Sequence, residues 1–405
     1  MKLQRILDRI QQANPEKLAG IFGDVAWGNK ERLPEPALQS LIDTFDRLTL
    51  NPQAVPHDML GAAYEYLLKQ FADESGRKAG EFFTPRAVVL LLVKILDPKP
   101  EETIYDPACG SGGMLVETIG EVRERGGDSR TLRLYGQEVN LTTFSIARMN
   151  LYLHNIEDFQ ILRGDTLRDP RFRESDGAIT KFDVVIANPP FSLKNWGADT
   201  WVADPRAMFG VPPASSGDLA WVQHMVAAMR PGSGRVGVVM PHGVLFRGGA
   251  EKQIRQGLVE SDLLDAVIGL PPNLFYSTSI PACLLIFRSG KPDHRKGAVL
   301  FVDGSTQFAK SKNQNHLTVQ GIRTIVAAYR GAEDLNGDDG VRVRLVEHAE
   351  IKDNVWDLNL TRYLTSAPTE SVDVATALEN LAEAQQALHE AENRLAERLK
   401  AAGYA

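Results

Sequence analysis

The stretch TIYDPACGSGGML, Thr103 to Leu115, decides the fold. It opens with a short strand-like run that ends on an acid, Asp106, and then turns through a proline and closely spaced glycines before a helix opens at about Met114. Glycines at 110, 112 and 113 let the backbone pass close to a ligand, and an acid at a strand's carboxyl end stands where doubly wound sheets bind cofactors. The turn lacks the G-K-[ST] of a phosphate loop, and its G-x-G-G differs from the G-x-G-x-x-G of dinucleotide folds. It reads as a cofactor loop of another kind.

Working outward, six more strand-like runs follow, mostly separated by helical patterns: LRLYGQE, FQILRGD, KFDVVIAN, GRVGVVMP, LLDAVIGLP and ACLLIFR. Strands alternating with helices imply an α/β fold with a mainly parallel, doubly wound, Rossmann-like sheet, here expected to have seven strands. Residues 1–79 read as an N-terminal helical domain; in HDMLGAAYEYLLKQF, Leu60, Tyr64, Leu67, Leu68 and Phe71 share a face. Residues 80–291 form the expected catalytic domain, and residues 292–370, polar and glycine-containing, a C-terminal extension. Residues 371–405 read as a final helix. On that helix Leu378, Leu381, Leu388, Leu395 and Leu399 fall on heptad a and d positions, but Gln385 and Glu392 occupy the a positions between. So polar a seam suits pairing with a partner protein better than self-association; the alternative is a helix folded back on its own domain.

Composition narrows the function. A net charge of -7 over 405 residues excludes a protein that coats nucleic acid by its whole surface, so any phosphate contacts fall to local residues such as Lys194, Arg206 and Arg247. Two cysteines, Cys109 and Cys283, cannot make a disulfide framework, and no metal-spaced Cys/His cluster occurs, which fits a reducing cytoplasm. No apolar run is long enough for a membrane span, and the N-terminus lacks a signal-peptide core. A cytoplasmic protein with no membrane association is expected, without nuclease activity or ATP use.

The fourth strand stops abruptly at Asn188-Pro189-Pro190-Phe191. Two prolines remove two backbone donors and fix two φ angles, so the tip is a rigid loop carrying an amide, free carbonyls and an aromatic ring. Acids also end the first three strands: Asp106, Glu138 and Asp165. Glu138 stands about where such folds hold ribose hydroxyls.

The set FFTP (Phe82 to Pro85), DPACGSGG (Asp106 to Gly113) and NPPF (Asn188 to Phe191), in that order, resembles the adenine-N6 DNA methyltransferases. More narrowly it is similar to the modification (M) subunit of type I restriction-modification systems, over roughly Ala62 to Arg288, with MPHGVLF, LPPNLFYSTSIPACLLIF and the C-terminal helix adding to the likeness. The helical region before GEFFTP is shorter than in that family, which leaves a missing N-terminal segment or a divergent subgroup open. The resemblance implies S-adenosyl-L-methionine as cofactor, held by Phe82, Phe83, Thr84, Asp106, Ala108, Gly110, Ser111, Gly113, Glu138 and Asp165, with Asp165 accepting from the adenine amino group. FFTP would lie across the methionine part of the cofactor, although Thr84 and Pro85 also fit a helix N-cap and N1. Catalysis would rest on Asn188 and Pro189 as acceptors, Pro190 as scaffold and Phe191 as the stacking face for a flipped adenine. Implied partners are double-stranded DNA, a specificity (S) subunit flanked by two copies of this chain, and a restriction (R) subunit. Methyl transfer to RNA or to a protein glutamine, and a non-catalytic cofactor-binding scaffold, are the alternatives.

Overall fold

A computed structural model describes residues 2–18, 20–22, 27, 29–31, 33–51, 54–55, 57–74, 84–275, 280–311, 314–333, 335–336, 340–364 and 374–401. All seven expected runs form strands: β1 (Thr103–Asp106), β2 (Arg133–Glu138), β3 (Phe159–Arg163), β4 (Val184–Ala187), β5 (Arg235–Pro241), β6 (Leu264–Gly269) and β7 (Ala282–Arg288). They lie in the order 3-2-1-4-5-7-6, parallel except for β7, which runs antiparallel to both its neighbours.

The sheet is larger than the expected seven strands; among the described residues it has ten. Beyond β6 it continues through β8 (Ala298–Asp303), which pairs parallel to β6. The short hairpin partners Leu335–Asn336 and Arg342–Glu347 then add antiparallel at the edge. The extension therefore completes the central sheet. Its attachment is polar as well as apolar: Asp265 of β6, fully buried, accepts from Arg295 at 2.9 Å and from the Tyr329 hydroxyl at 2.6 Å.

Side-chain alternation explains the double winding. Along β4, Val184 and Ile186 face one core, which includes the helices Arg86–Leu96, Gly113–Glu124 and Val319–Gly331; Val185 and Ala187 face the other, with Asp218–Ala228 and Ala250–Glu260. A strand buried on both faces needs an unbroken apolar run, and VVIA supplies one. The helix RAVVLLLVKIL starts at Pro85 and ends where Asp97 takes a left-handed φ of 53°. Seven of its eleven residues are buried, because it sits between the sheet and its neighbouring helices.

The N-terminal helices Lys2–Ala13, Glu35–Asp46 and His57–Glu74 are less enclosed. Leu67, expected on a buried face, is 44% exposed, while Leu60, Tyr64 and Leu68 are half-buried and Phe71's side chain lies outside the described residues. By contacts the chain divides into two compact units, Met1–Leu364 and Thr365–Ala405. The second holds one long helix, Val374–Ala401, on which Leu381, Leu388 and Leu395 are all more than half exposed. Among the described residues no helix is long and apolar enough to cross a membrane.

Candidate active site

Strand β1 has β2 and then β3 on one side and β4 and then β5 on the other, so the winding reverses between β1 and β4. Loops leaving two such strands depart in opposite directions, and a crevice opens at their carboxyl ends. Asp106 ends β1 and Asn188 follows β4, so both candidate motifs meet at that crevice because of the strand order. A cavity there is lined by Thr84, Asp106, Ala108, Gly110, Ser111, Gly113 and Asn188, together with Val89, Cys109 and Met114.

The glycine loop is held from several sides. Its Pro107 carbonyl accepts from the Thr166 hydroxyl at 2.6 Å, Cys109 N donates to the Gln137 carbonyl at 3.0 Å, and the Ser111 carbonyl accepts from Asn150 Nδ2 at 3.0 Å. Gly110 and Gly112 take φ values of 53° and 78°, a backbone region that favours glycine, and Gly112 caps the helix that follows. Cys109 packs on Gly136 of β2, where any side chain would strike Ile161 and crowd the sulfur. It is buried, and its thiol is pushed well up by that burial, so it is packing and not a nucleophile.

Two acids shape the electrostatics. Asp106 is 2% exposed and accepts from Ala108 N at 3.0 Å; burial, with the nearby Glu138 carboxylate adding to it, pushes its carboxyl up to about 8. Glu138 accepts from Gly110 N at 3.1 Å and from Asn140 N at 2.7 Å, and burial raises its carboxyl as well. No cation among the described residues offsets either one. Buried carboxyls beside a glycine loop suit a ligand that brings hydroxyls and positive charge, and S-adenosyl-L-methionine brings both.

At the other wall, Asn188 Nδ2 donates to the Thr84 hydroxyl at 2.9 Å. Its Oδ1 is buried and has no hydrogen-bond partner among the described residues. Pro189 is buried and Pro190 exposed. Phe191 is half-buried, with the edge of one ring set against the face of the other where it meets Phe275, 5.9 Å between centroids. Thr84 and Pro85 precede the helix Arg86–Leu96 without a side-chain cap bond, which leaves the Thr84 hydroxyl to Asn188. Phe82 and Phe83 lie outside the described residues.

Asp165 and Arg206 stand apart from the cavity, and Glu138, which holds Gly110 N, is not among its lining residues. Asp165 ends β3's loop, but Oδ1 accepts from the amides of Leu167 and Arg168 and Oδ2 pairs with Arg168 at 3.0 Å. Arg206, expected to touch phosphate, is instead buried at 2% exposure. Its guanidinium pairs with Asp204 at 2.7 Å, donates to the carbonyls of Thr166 and Leu167, and lies over the Trp201 ring. It also donates to His224 Nδ1 at 3.1 Å, so the imidazole proton sits on Nε2, which donates to Tyr105 Oη at 3.2 Å. Arg206 is a brace beneath the site. Arg247 is likewise tied, to Asp218 at 2.8 Å and Glu251 at 3.3 Å, whereas Lys194 is exposed.

Sequence reasoning missed Asn150. It is 1% exposed, holds the glycine loop through Nδ2, and leaves Oδ1 without a partner among the described residues. The one signal was an amide in the helical run ARMNLYLH at a position that faces the core.

The model of the family N-6 DNA Methylase matches residues 55–371. The type I restriction enzyme MjaVII methylase subunit of Methanocaldococcus jannaschii is 34% identical, covering 95% of this chain and 67% of the relative, so the chain spans about two thirds of that protein's length. The HindI methylase subunit of Haemophilus influenzae is 32% identical over 92% of this chain and 85% of its own. The crystal structure of a type I restriction-modification system methyltransferase subunit from Streptococcus thermophilus matches with a TM-score of 0.81 at 36% identity, over 90% of this chain and 76% of that one. The chain belongs to the N-6 DNA methylase family, and its sheet is that of an S-adenosyl-L-methionine-dependent, adenine-specific DNA methyltransferase.

Proposed function

We propose that this chain is the modification subunit of a type I restriction-modification complex and that Asn188 is where a flipped adenine is activated. One observation carries the reading: a buried amide oxygen without a donor, on a side chain whose other end is pinned by Thr84. A buried acceptor left unpaired costs roughly 1–3 kcal/mol, and an incoming N–H donor removes that cost. The exocyclic amine of adenine is such a donor. Its lone pair is delocalised into the ring, so it is a poor nucleophile until its hydrogens are held out of the ring plane. Asn188 Oδ1 accepts one N6 hydrogen and the Pro189 carbonyl the other, which localises the lone pair on nitrogen. The two prolines hold these acceptors before the base arrives, and Phe191 offers the stacking face.

S-adenosyl-L-methionine, when bound, supplies a methyl group on a positively charged sulfur. Glu138 would receive its ribose hydroxyls, and Asp106 and the amides around Gly110 would line its path, whereas Asp165, already committed to Arg168 and the amides beside it, is left out of this reading. The excess proton of the methylated amine leaves toward solvent, because no histidine or lysine lines the cavity among the described residues. The substrate is double-stranded DNA within a restriction-modification system. A specificity subunit flanked by two copies of this chain would select the site, and a restriction subunit would join the full complex. Co-expression of the chain with its specificity partner, followed by mapping of methylated adenines, tests the reading; DNA without N6-methyladenine at a defined site would overturn it.

A further inference from the structure

We infer that Asn150, with Glu117, seats the ammonium group at the amino-acid end of the methyl donor, a role that rests on reading the crevice as an S-adenosyl-L-methionine site. The cavity under Asp106 and Asn188 shares Thr84, Ser111 and Gly113 with a larger one of about 390 Å³. Asn150, Glu117 and Arg86 line that second space. A ligand with its nucleoside near Asp106 and Glu138 therefore has room to extend a tail past the glycine loop.

The polarity of Asn150 says which group the tail ends in. Because Nδ2 donates to the Ser111 carbonyl at 3.0 Å, the amide cannot turn over without losing that bond, and its oxygen stays on the free side. Oδ1 is buried and unpaired among the described residues. An amide oxygen accepts and never donates, so it repels a carboxylate and receives an N–H. Glu117 adds the charge. Its side chain is 14% exposed and lies one turn into the helix Gly113–Glu124, facing Arg86 Nε at 3.4 Å. Asn150 and Glu117 line the same space, so an ammonium there would have both the amide oxygen and the carboxylate to pair with, and the carboxylate of the same amino-acid end would turn toward the exposed Arg86. Asn150 would then act twice, shaping the loop with its nitrogen and reading the ligand with its oxygen.

The test compares two ligands that differ only at that end, measured by equilibrium binding to the full chain. S-adenosylhomocysteine carries the amino-acid group; 5′-methylthioadenosine keeps the nucleoside and sulfur but lacks it. Asn150→Ala is expected to weaken S-adenosylhomocysteine about tenfold or more and methylthioadenosine less than about twofold. Equal losses for both ligands would mean that Asn150 only anchors Ser111, and the inference would fail. Glu117→Gln leaves the Ser111 anchor intact and is partly exposed, so it serves if Asn150→Ala does not fold; the same one-sided loss, about fivefold, is expected. An unchanged preference in Glu117→Gln would also overturn the inference. Should the wild-type chain bind neither ligand, the cofactor reading itself falls, a result distinct from equal losses in the variants.

Discussion

Thr84 and Asn188 stand 104 positions apart in the chain, yet the Asn188 amide donates to the Thr84 hydroxyl across 2.9 Å. This bond joins the segment ahead of the helix Arg86–Leu96 to the tip of β4 and decides which end of the amide faces the cavity. A threonine hydroxyl has two acceptor sites and one proton, so it can hold Asn188 and still donate to a bound ligand. Thr84→Val removes the acceptor at nearly constant volume and lets the amide rotate. Single-turnover methylation at saturating cofactor is expected to fall about 10- to 100-fold, with Thr84→Ser within about threefold of wild type. Equal rates for the valine and wild-type proteins would show that the bond does no positioning.

Asn188→Ala goes further and deletes the free oxygen. Loss of one positioned polar group at a developing charge costs about 10²–10³ in rate. Cofactor affinity should change little, since Asp106, Glu138 and the glycine loop are untouched. Single-turnover kinetics beside equilibrium cofactor binding checks both halves, and wild-type turnover would remove Asn188 from the mechanism.

Gly110 combines a φ of 53° with a place on the cavity wall. Gly110→Val meets a backbone penalty of about 1–2 kcal/mol for the left-handed region and also puts a branched side chain where the ligand lies. Cofactor binding should disappear while the cooperative thermal transition survives at a lower temperature. Normal binding by this variant would place the cofactor elsewhere.

Asp106 gives a pH dependence with a definite sign. Its carboxyl, pushed up to about 8, is protonated in the free protein at neutral pH, and Glu138 is raised in the same direction. A positively charged ligand favours the carboxylate, so binding releases a proton and affinity rises with pH until about 8. Stability runs the other way: between the ordinary carboxyl value of 3.8 and about 8 the folded chain holds a proton that the unfolded chain has lost, so folding weakens as pH rises through that window. Calorimetric binding in buffers of different ionisation enthalpy measures the proton released. Asp106→Asn should reduce both trends to the share that Glu138 contributes.

What the sequence made legible was local. Apolar runs such as VVIA and RVGVVMP announced their strands, because a strand buried on both faces leaves an unbroken signature, and the glycine and proline motifs announced the loops between them. Partnership between distant segments left no such mark. The antiparallel insertion of β7 and the addition of β8 to β6 depend on pairing across tens of residues, and AVLFVD was passed over among polar neighbours. Arg206 read as a surface cation because arginine is seldom buried, but Asp204, Trp201 and the carbonyls of Thr166 and Leu167 satisfy it inside. Asn150 was missed for the converse reason. A polar residue in a helix reads as solvated until the fold shows which face it is on.

The last prediction concerns dependence on a partner. Among the residues expected to touch phosphate, Arg206 is buried and Arg247 is held by Asp218 and Glu251, so fewer free cations remain than the composition suggested. Flipping a base costs a few kcal/mol, and a chain that binds DNA weakly should seldom populate the flipped state. The isolated chain is therefore expected to methylate long DNA poorly at every salt concentration, and its specificity subunit to restore the reaction. The helix Val374–Ala401 is the segment we expect to make that contact. Leu381, Leu388 and Leu395 repeat every seven residues and are 54%, 61% and 59% exposed, an apolar stripe suited to a helical partner. Deleting residues 373–405 should leave cofactor affinity unchanged, since the cofactor cavity is lined by residues of the other compact unit, and should abolish restoration by the partner. Co-purification and methylation assays on the truncated chain decide the matter: a complex of unchanged stoichiometry would refute the role of the helix, and efficient site-specific methylation by the isolated chain would refute dependence on a partner altogether.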